Sequence, residues 1–221
     1  MTRNGAARLA GLSYLALVPT TGFAYGYVAF MPHDPGALVA ALQAGRQALE
    51  WSILIGAAGF IGYLVTAALF HKLLAPTSKL AADLMVLFVA ASVPLSMAAL
   101  AQRMDLLGQL GAPGPGLVSE AVRLVQSQQD LFQISAIFWG LWMIPLGWLA
   151  YRSRVVPRLI GLWLILGGLG YMSTFALPLL HVSLPASAGA ALMALTVGSE
   201  FAFMFCLIIR GAGRRGQEER A

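Results

Sequence analysis

Residues 186–209 read ASAGAALMALTVGSEFAFMFCLII, and this stretch decides the fold class. It is long and apolar enough to cross the hydrocarbon core of a bilayer, which takes about 20 residues of helix. Lipid offers no partners for backbone N–H and C=O groups, so such a run must form an α-helix. One ionisable carboxyl group, that of Glu200, lies inside it.

Five further apolar runs of similar length precede this one along the chain. The six predicted spans are Ala7–Phe30, Trp51–Leu74, Leu80–Leu100, Leu131–Tyr151, Leu159–Leu180 and Ala186–Ile209. With 59% hydrophobic and 10% charged residues, the composition excludes a soluble enzyme of ordinary surface polarity. The sequence therefore predicts an all-α polytopic membrane helix bundle with six transmembrane helices. Residues 1–211 form a single six-span domain, and residues 212–221 form a short polar cytoplasmic tail.

The charges predict how the chain is threaded through the membrane. Its net charge is +5, but the basic residues sit at the ends of apolar runs, so we predict no nucleic-acid partner. With a cytoplasmic N-terminus, three basic residues face outward and eleven face inward. The outer ones are Arg46, Arg103 and Arg123; the inner ones are Arg3, Arg8, Lys72, Lys79, Arg152, Arg154, Arg158, Arg210, Arg214, Arg215 and Arg220. This bias predicts that both termini are cytoplasmic.

Two outer segments carry helical patterns of their own. Between Pro35 and Glu50, apolar residues recur at helical spacing, which predicts an amphipathic helix that either lies on the outer leaflet or extends the second span. Residues 101–130 are interrupted by the turn-forming run from Gly111 to Gly116, after which the helical spacing resumes and leads into the fourth span.

Short motifs in a fixed order resemble a known family, the bacterial integral membrane family catalogued as domain of unknown function 4386. The motifs are Ala7-Arg-Leu-Ala-Gly-Leu-Ser-Tyr14, Phe138-Trp-Gly-Leu-Trp142, Leu146-Gly-Trp-Leu-Ala-Tyr-Arg-Ser153, Pro157-Arg158, Gly167-Gly-Leu-Gly-Tyr171, Gly198-Ser-Glu-Phe201 and Ile209-Arg-Gly211. The resemblance implies a small multi-pass protein of the bacterial inner (cytoplasmic) membrane. It implies no established reaction and supplies no catalytic residues.

Glu200 is the principal candidate for a functional side chain. A carboxyl group deep in a span must face the bundle interior, stay protonated or find a partner, and such residues are functional candidates by default. Thr196 lies one turn earlier on the same face, and Trp139 and Trp142 are candidate walls of a cavity that Pro19, Pro94 and Pro145 would open by kinking their helices. We predict that Glu200, Thr196, Trp139 and Trp142 bind a ligand. The alternative is that Glu200 is a protonated hydrogen-bond donor between helices.

The remaining ionisable residues are weaker as site candidates. The negative charge of Asp83 is stabilised by the N-terminus of its helix and by Lys79 at position i−4, which predicts a structural role. Alternatively, Asp83 and Glu200 form a proton path. His33 and His181 are predicted at the outer boundary, where with Asp34 or Glu50 they are weak candidates for ligands of a metal or haem. Interfacial histidines are usually only polar boundary residues, so we predict no metal site. A single cysteine, Cys206, excludes an intrachain disulfide. The sequence indicates no particular cofactor.

Three functions are compatible with these features. The first is a non-enzymatic membrane protein that binds or moves a small hydrophobic or amphipathic ligand at a cavity centred on Glu200. The second is a membrane-embedded enzyme that acts on lipid or quinone. The third is a structural or regulatory subunit, whose helix partner would pack on the small-residue faces Gly22/Gly26 or Gly56/Gly59/Gly62.

Overall fold

Seven α-helices account for nearly all of the chain in the computed structural model, which describes residues 2–111 and 114–212. They are α1 (Arg3–Ala29), α2 (Pro35–Ala44), α3 (Arg46–Leu74), α4 (Lys79–Gly111), α5 (Leu117–Ser153), α6 (Arg158–Leu179) and α7 (Ala186–Arg210). Within these described ranges there is no β-strand, and the all-α prediction is confirmed.

Five helices, α3 to α7, are long and apolar enough to cross a membrane. The prediction of a multi-pass membrane protein is therefore confirmed at this level. Helix α1 has 27 residues, about 40 Å at 1.5 Å per residue, so its length suffices for a span. Helix α1 is less apolar than α3 to α7. Polar residues lie at its start and within it: Arg3, Asn4, Arg8, Thr20 and Thr21.

The helices next to the outer segments are longer than the predicted spans. Helix α4 continues to Gly111, and α5 begins at Leu117 and runs without interruption to Ser153. The extensions remain helical because their apolar residues pack into a buried core, which contains Leu106, Leu110, Ala121, Leu124 and Val125. Of the predicted turn, Ala112 and Pro113 lie outside the described residues, and Gly116 adopts a positive φ of 97°, which glycine tolerates best.

The predicted amphipathic segment 35–50 divides into two parts. Asp34 caps α2, since its Oδ2 accepts a hydrogen bond from the Ala37 backbone N–H at 2.8 Å. Gly45 ends α2, and residues 46–50 form the first turn of α3. The segment therefore contains both a separate short helix and an extension of the second predicted span.

The chain forms two compact units. The first comprises the described residues of Met1–Leu15, Tyr63–Ser92 and Ala136–Ala221, and the second comprises those of Ala16–Gly62 and Val93–Ser135. Pro19, Pro94 and Pro145 lie inside α1, α4 and α5, each of which continues as one helix. Of the predicted tail 212–221, all but Ala212 lies outside the described residues.

In the first unit, glycine pairs bring the backbones of α5 and α6 together. A Cβ atom added to Gly140 would lie 2.5 Å from the carbonyl oxygen of Gly168, and one added to Gly147 would lie 2.6 Å from that of Gly161. The two pairs are seven residues apart on each helix. Only glycine permits this separation, as in other close helix contacts within membranes.

In the second unit, the glycine stripe of α3 packs against α1. A Cβ added to Gly56 would lie 2.8 Å from the Cβ of Ala24, and one added to Gly59 would lie 2.8 Å from the hydroxyl of Thr20. These glycines therefore pack against a helix of the same chain. At Gly22 an added Cβ would meet nothing within 4 Å, so of the two faces predicted for a partner helix, this is the one with open space.

Candidate functional site

Glu200 lies in α7 and is joined to α1 by a short hydrogen bond. The Tyr14 hydroxyl donates to Glu200 Oε2 at 2.5 Å, and Tyr171 of α6 lies beside the same carboxyl group. The other oxygen, Oε1, is buried and has no hydrogen-bond partner within residues 2–111 and 114–212. One side of the carboxyl group is therefore satisfied, and the other offers an acceptor to an incoming group.

Aromatic rings pack around Tyr14, the residue that donates to this carboxyl group. Trp142 is buried, and its ring lies edge-on to Tyr14 at 5.3 Å and to Tyr63 at 5.1 Å between centroids. Phe70 contacts Tyr14 at 5.8 Å and Phe203 at 5.4 Å. We call these five residues the aromatic cluster. Its apolar surroundings make an unpaired polar atom costly, because no water replaces the missing hydrogen bond.

The four predicted ligand-binding residues all lie in the first unit, but they differ in how they are related to the Glu200 carboxyl group. Trp142 reaches Glu200 through Tyr14. Trp139 packs edge-on against Tyr171 at 6.3 Å, and Tyr171 lies beside the carboxyl group. Thr196 is turned toward its own helix, since its hydroxyl donates to the backbone carbonyl of Leu192 at 2.8 Å.

Thr196 also serves the packing of α7 on α6. Its hydroxyl occupies the space that a side chain at Gly170 would need, and Ser199 does the same at Gly167. Both Thr196 and Ser199 are buried. The two small hydroxyl residues hold α7 close to α6 and thereby set the position of Glu200.

Sequence reasoning missed the tyrosines of the site. Tyr14 and Tyr171 each end one of the motifs quoted for the family resemblance, so those motifs contained the signal. Nothing in the spacing relates Tyr14 to Glu200, which lies 186 residues further along the chain. A tyrosine inside a predicted span, a position where its hydroxyl needs a partner, is the feature that would have indicated them.

Asp83 forms a small ion-pair group with its neighbours. Its Oδ1 lies 2.8 Å from His71 Nε2, and its Oδ2 accepts from Lys79 Nζ at 2.6 Å. The three side chains are 36%, 34% and 79% exposed, and exposed pairs contribute little to stability. The contacts join the end of α3 to the start of α4, and a proton path through Asp83 stays a prediction.

The two outer histidines lie in loops, His33 before α2 and His181 after α6. Throughout the part of the chain that the structure describes, no three His, Cys, Asp or Glu side chains lie close enough together to hold a metal ion. The enzyme alternative, which would use Glu200 or the two outer histidines, stays a prediction.

These features define a multi-pass α-helical membrane protein with a carboxyl group held among aromatic side chains inside its helices. The chain belongs to the family described as Domain of unknown function (DUF4386), which matches residues 9–211. The resemblance predicted from the motifs is thus confirmed. No curated protein and no solved structure matches the chain.

Proposed function

We propose that this protein binds, or moves across the membrane, a small hydrophobic or amphipathic ligand with Glu200 as its polar centre. The observation that carries the proposal is the buried Oε1 of Glu200, which has no hydrogen-bond partner among the described residues. A buried acceptor left without a partner costs about 1–3 kcal/mol. A ligand that donates a hydrogen bond to Oε1 removes this cost.

The surroundings of Glu200 favour a ligand with an apolar body and one amine or hydroxyl donor. The rings of the aromatic cluster would offer apolar surface to such a ligand, and Trp139 adds a further ring beside Tyr171. Aromatic faces also attract cations, which favours an amine as the donor. Binding of this kind requires no bond to be made or broken, so the proposal is of a binding or transport protein and not of an enzyme.

A second candidate function has one observation in its favour. The Tyr14–Glu200 hydrogen bond ties α1 to α7, which is the behaviour of a structural residue. Such a protein would be a structural or regulatory subunit, and the open face at Gly22 would receive a helix of a partner.

Native mass spectrometry of protein purified in lipid nanodiscs distinguishes the two functions. We expect wild type to retain a defined small molecule, and Glu200→Gln to retain at least tenfold less, because the amide replaces one acceptor oxygen with an NH2 donor. Asp83→Asn is the matched control, since it alters the exposed carboxylate of the same unit, and it should retain the molecule as wild type does. A wild type without a bound small molecule, or equal retention in Glu200→Gln, would overturn the ligand proposal.

We further propose that α1 also crosses the membrane, giving six spans with both termini in the cytoplasm of a bacterium and the chain in its inner membrane. The support is the excess of basic residues on the side assigned to the cytoplasm and the length of α1. Residues 212–221 then form a cytoplasmic tail.

Reporter fusions test this topology. Green fluorescent protein fused to either terminus should fluoresce, because this reporter folds to its fluorescent form in the cytoplasm. Alkaline phosphatase inserted after Gly114 should be active, because that loop is assigned to the outer side of the membrane. If α1 does not cross, the five remaining spans put the termini on opposite sides, and one of the two fluorescent fusions would be dark.

A further inference from the structure

A fully buried arginine lies in the second unit. Arg103 of α4 has no exposed surface, although its position in the sequence predicts a charge of an outer segment. Its Nε donates to Gln128 Oε1 at 2.8 Å, and its Nη1 donates to Ser52 Oγ at 2.7 Å. The Nη2 group donates to the backbone carbonyl of Ala24, and the ring of Tyr27 lies 5.8 Å from the guanidinium carbon.

All of these partners are neutral. Among the residues that the structure describes, no carboxylate lies within ion-pair distance of Arg103; the acidic residues nearest to Arg103 and Gln128 in sequence, Asp105 and Asp130, are exposed. Arginine keeps its proton in proteins, so the buried charge has no counter-ion. A buried ion without a partner of opposite charge costs several kcal/mol.

The group also has more hydrogen-bond donors than acceptors. The Nε2 atom of Gln128 is buried and has no partner within the described ranges. A guanidinium carries five N–H donors, and three are used by Gln128, Ser52 and Ala24. Two buried side chains in direct contact therefore both have spare N–H groups, and one of them carries an uncompensated positive charge.

We propose that Arg103 and Gln128 form a binding site for a phosphate group, either free or in a lipid headgroup. Water would accept the spare hydrogen bonds but would leave the charge uncompensated, whereas an anion satisfies both. Tyr27 is partly exposed, and the centre of its ring lies 5.8 Å from the guanidinium carbon of Arg103. The site uses only residues of the second unit and is independent of Glu200.

The substitution Gln128→Glu gives the sharpest test, because it supplies the missing charge from within the chain. It preserves the size of the side chain and puts a carboxylate oxygen where the Gln128 oxygen now accepts from Arg103 at 2.8 Å. We expect its melting temperature in neutral detergent without added anions to exceed that of wild type. Gln126→Glu, at an exposed position of the same helix, is the control and should melt as wild type does.

The ligand arm uses three probes: phosphatidylglycerol, inorganic phosphate and uncharged diacylglycerol. We expect wild type and Gln126→Glu to be stabilised by an anionic probe and not by diacylglycerol, and Gln128→Glu to bind that probe at least tenfold more weakly. Stabilisation by inorganic phosphate identifies a free anion as sufficient; stabilisation by phosphatidylglycerol alone identifies a lipid headgroup. The proposal is overturned if neither anion stabilises wild type, if Gln128→Glu responds as wild type does, or if Gln128→Glu melts lower without anions.

Discussion

Replacing Gly140 by alanine is expected to lower the free energy of unfolding by about 1–3 kcal/mol, the range for overpacked sites. The new Cβ would lie 2.5 Å from the Gly168 carbonyl oxygen and 2.7 Å from the Met172 side chain. The carbonyl belongs to the backbone of α6, so α5 and α6 must separate to accommodate it. Denaturant titration of the purified protein in micelles measures the change.

Gly108→Ala is the control for this substitution. Gly108 also lies in a helix, but a Cβ there would meet nothing within 4 Å. Alanine is favoured over glycine in a helix by about 1 kcal/mol, so this variant should be as stable as wild type or more stable. Equal stabilities for Gly140→Ala and Gly108→Ala would show that α5 and α6 are not in close backbone contact.

Tyr14→Phe is expected to destabilise the protein by about 1–3 kcal/mol, because it leaves a buried carboxyl oxygen without its donor. The hydroxyl that is removed donates to Glu200 Oε2 at 2.5 Å. The ring keeps its contacts with Phe70 and Trp142, so packing is preserved. Denaturant titration of the variant and wild type in micelles measures this loss in the free energy of unfolding.

A double-mutant cycle with Glu200→Gln assigns this loss to the hydrogen bond. Residues in direct contact show coupling energies of about 0.5–3 kcal/mol, whereas distant ones add independently. Tyr151→Phe, whose ring packs against Arg158, is the control and should change stability little. Additive effects of Tyr14→Phe and Glu200→Gln would show that the two side chains do not interact, and the second candidate function would lose the observation in its favour.

Much of the fold was predictable from hydrophobicity along the chain. Each predicted span lies within one helix, except that Phe30 falls just beyond the end of α1 and Leu180 just beyond the end of α6. The outer part of α5 was predicted from the helical spacing that resumes after Gly116. The outer end of α4 was not predicted, because its turns contain polar residues and remain helical only through the core around Leu106 and Leu124. Burial by distant parts of the chain leaves no periodic signal strong enough to extend a span.

The candidate site was predictable only in its central residue. An acid inside an apolar run stands out because its transfer into lipid is costly, and this identified Glu200. Its partners Tyr14 and Tyr171 are ordinary residues of other helices. Arg103 was assigned to an outer segment from the sequence, whereas in the structure it is fully buried. Each acquires its role through what it contacts.

By itself, the sequence determined that this protein is an all-α membrane protein, because backbone groups in lipid must bond within helices and long apolar runs reveal where this happens. Its motifs also determined the family. Only the tertiary structure decided which oxygen of Glu200 is satisfied, which glycines bring helices together, and that Arg103 is buried among neutral partners. These depend on side chains that are far apart in the chain and meet only when the helices pack.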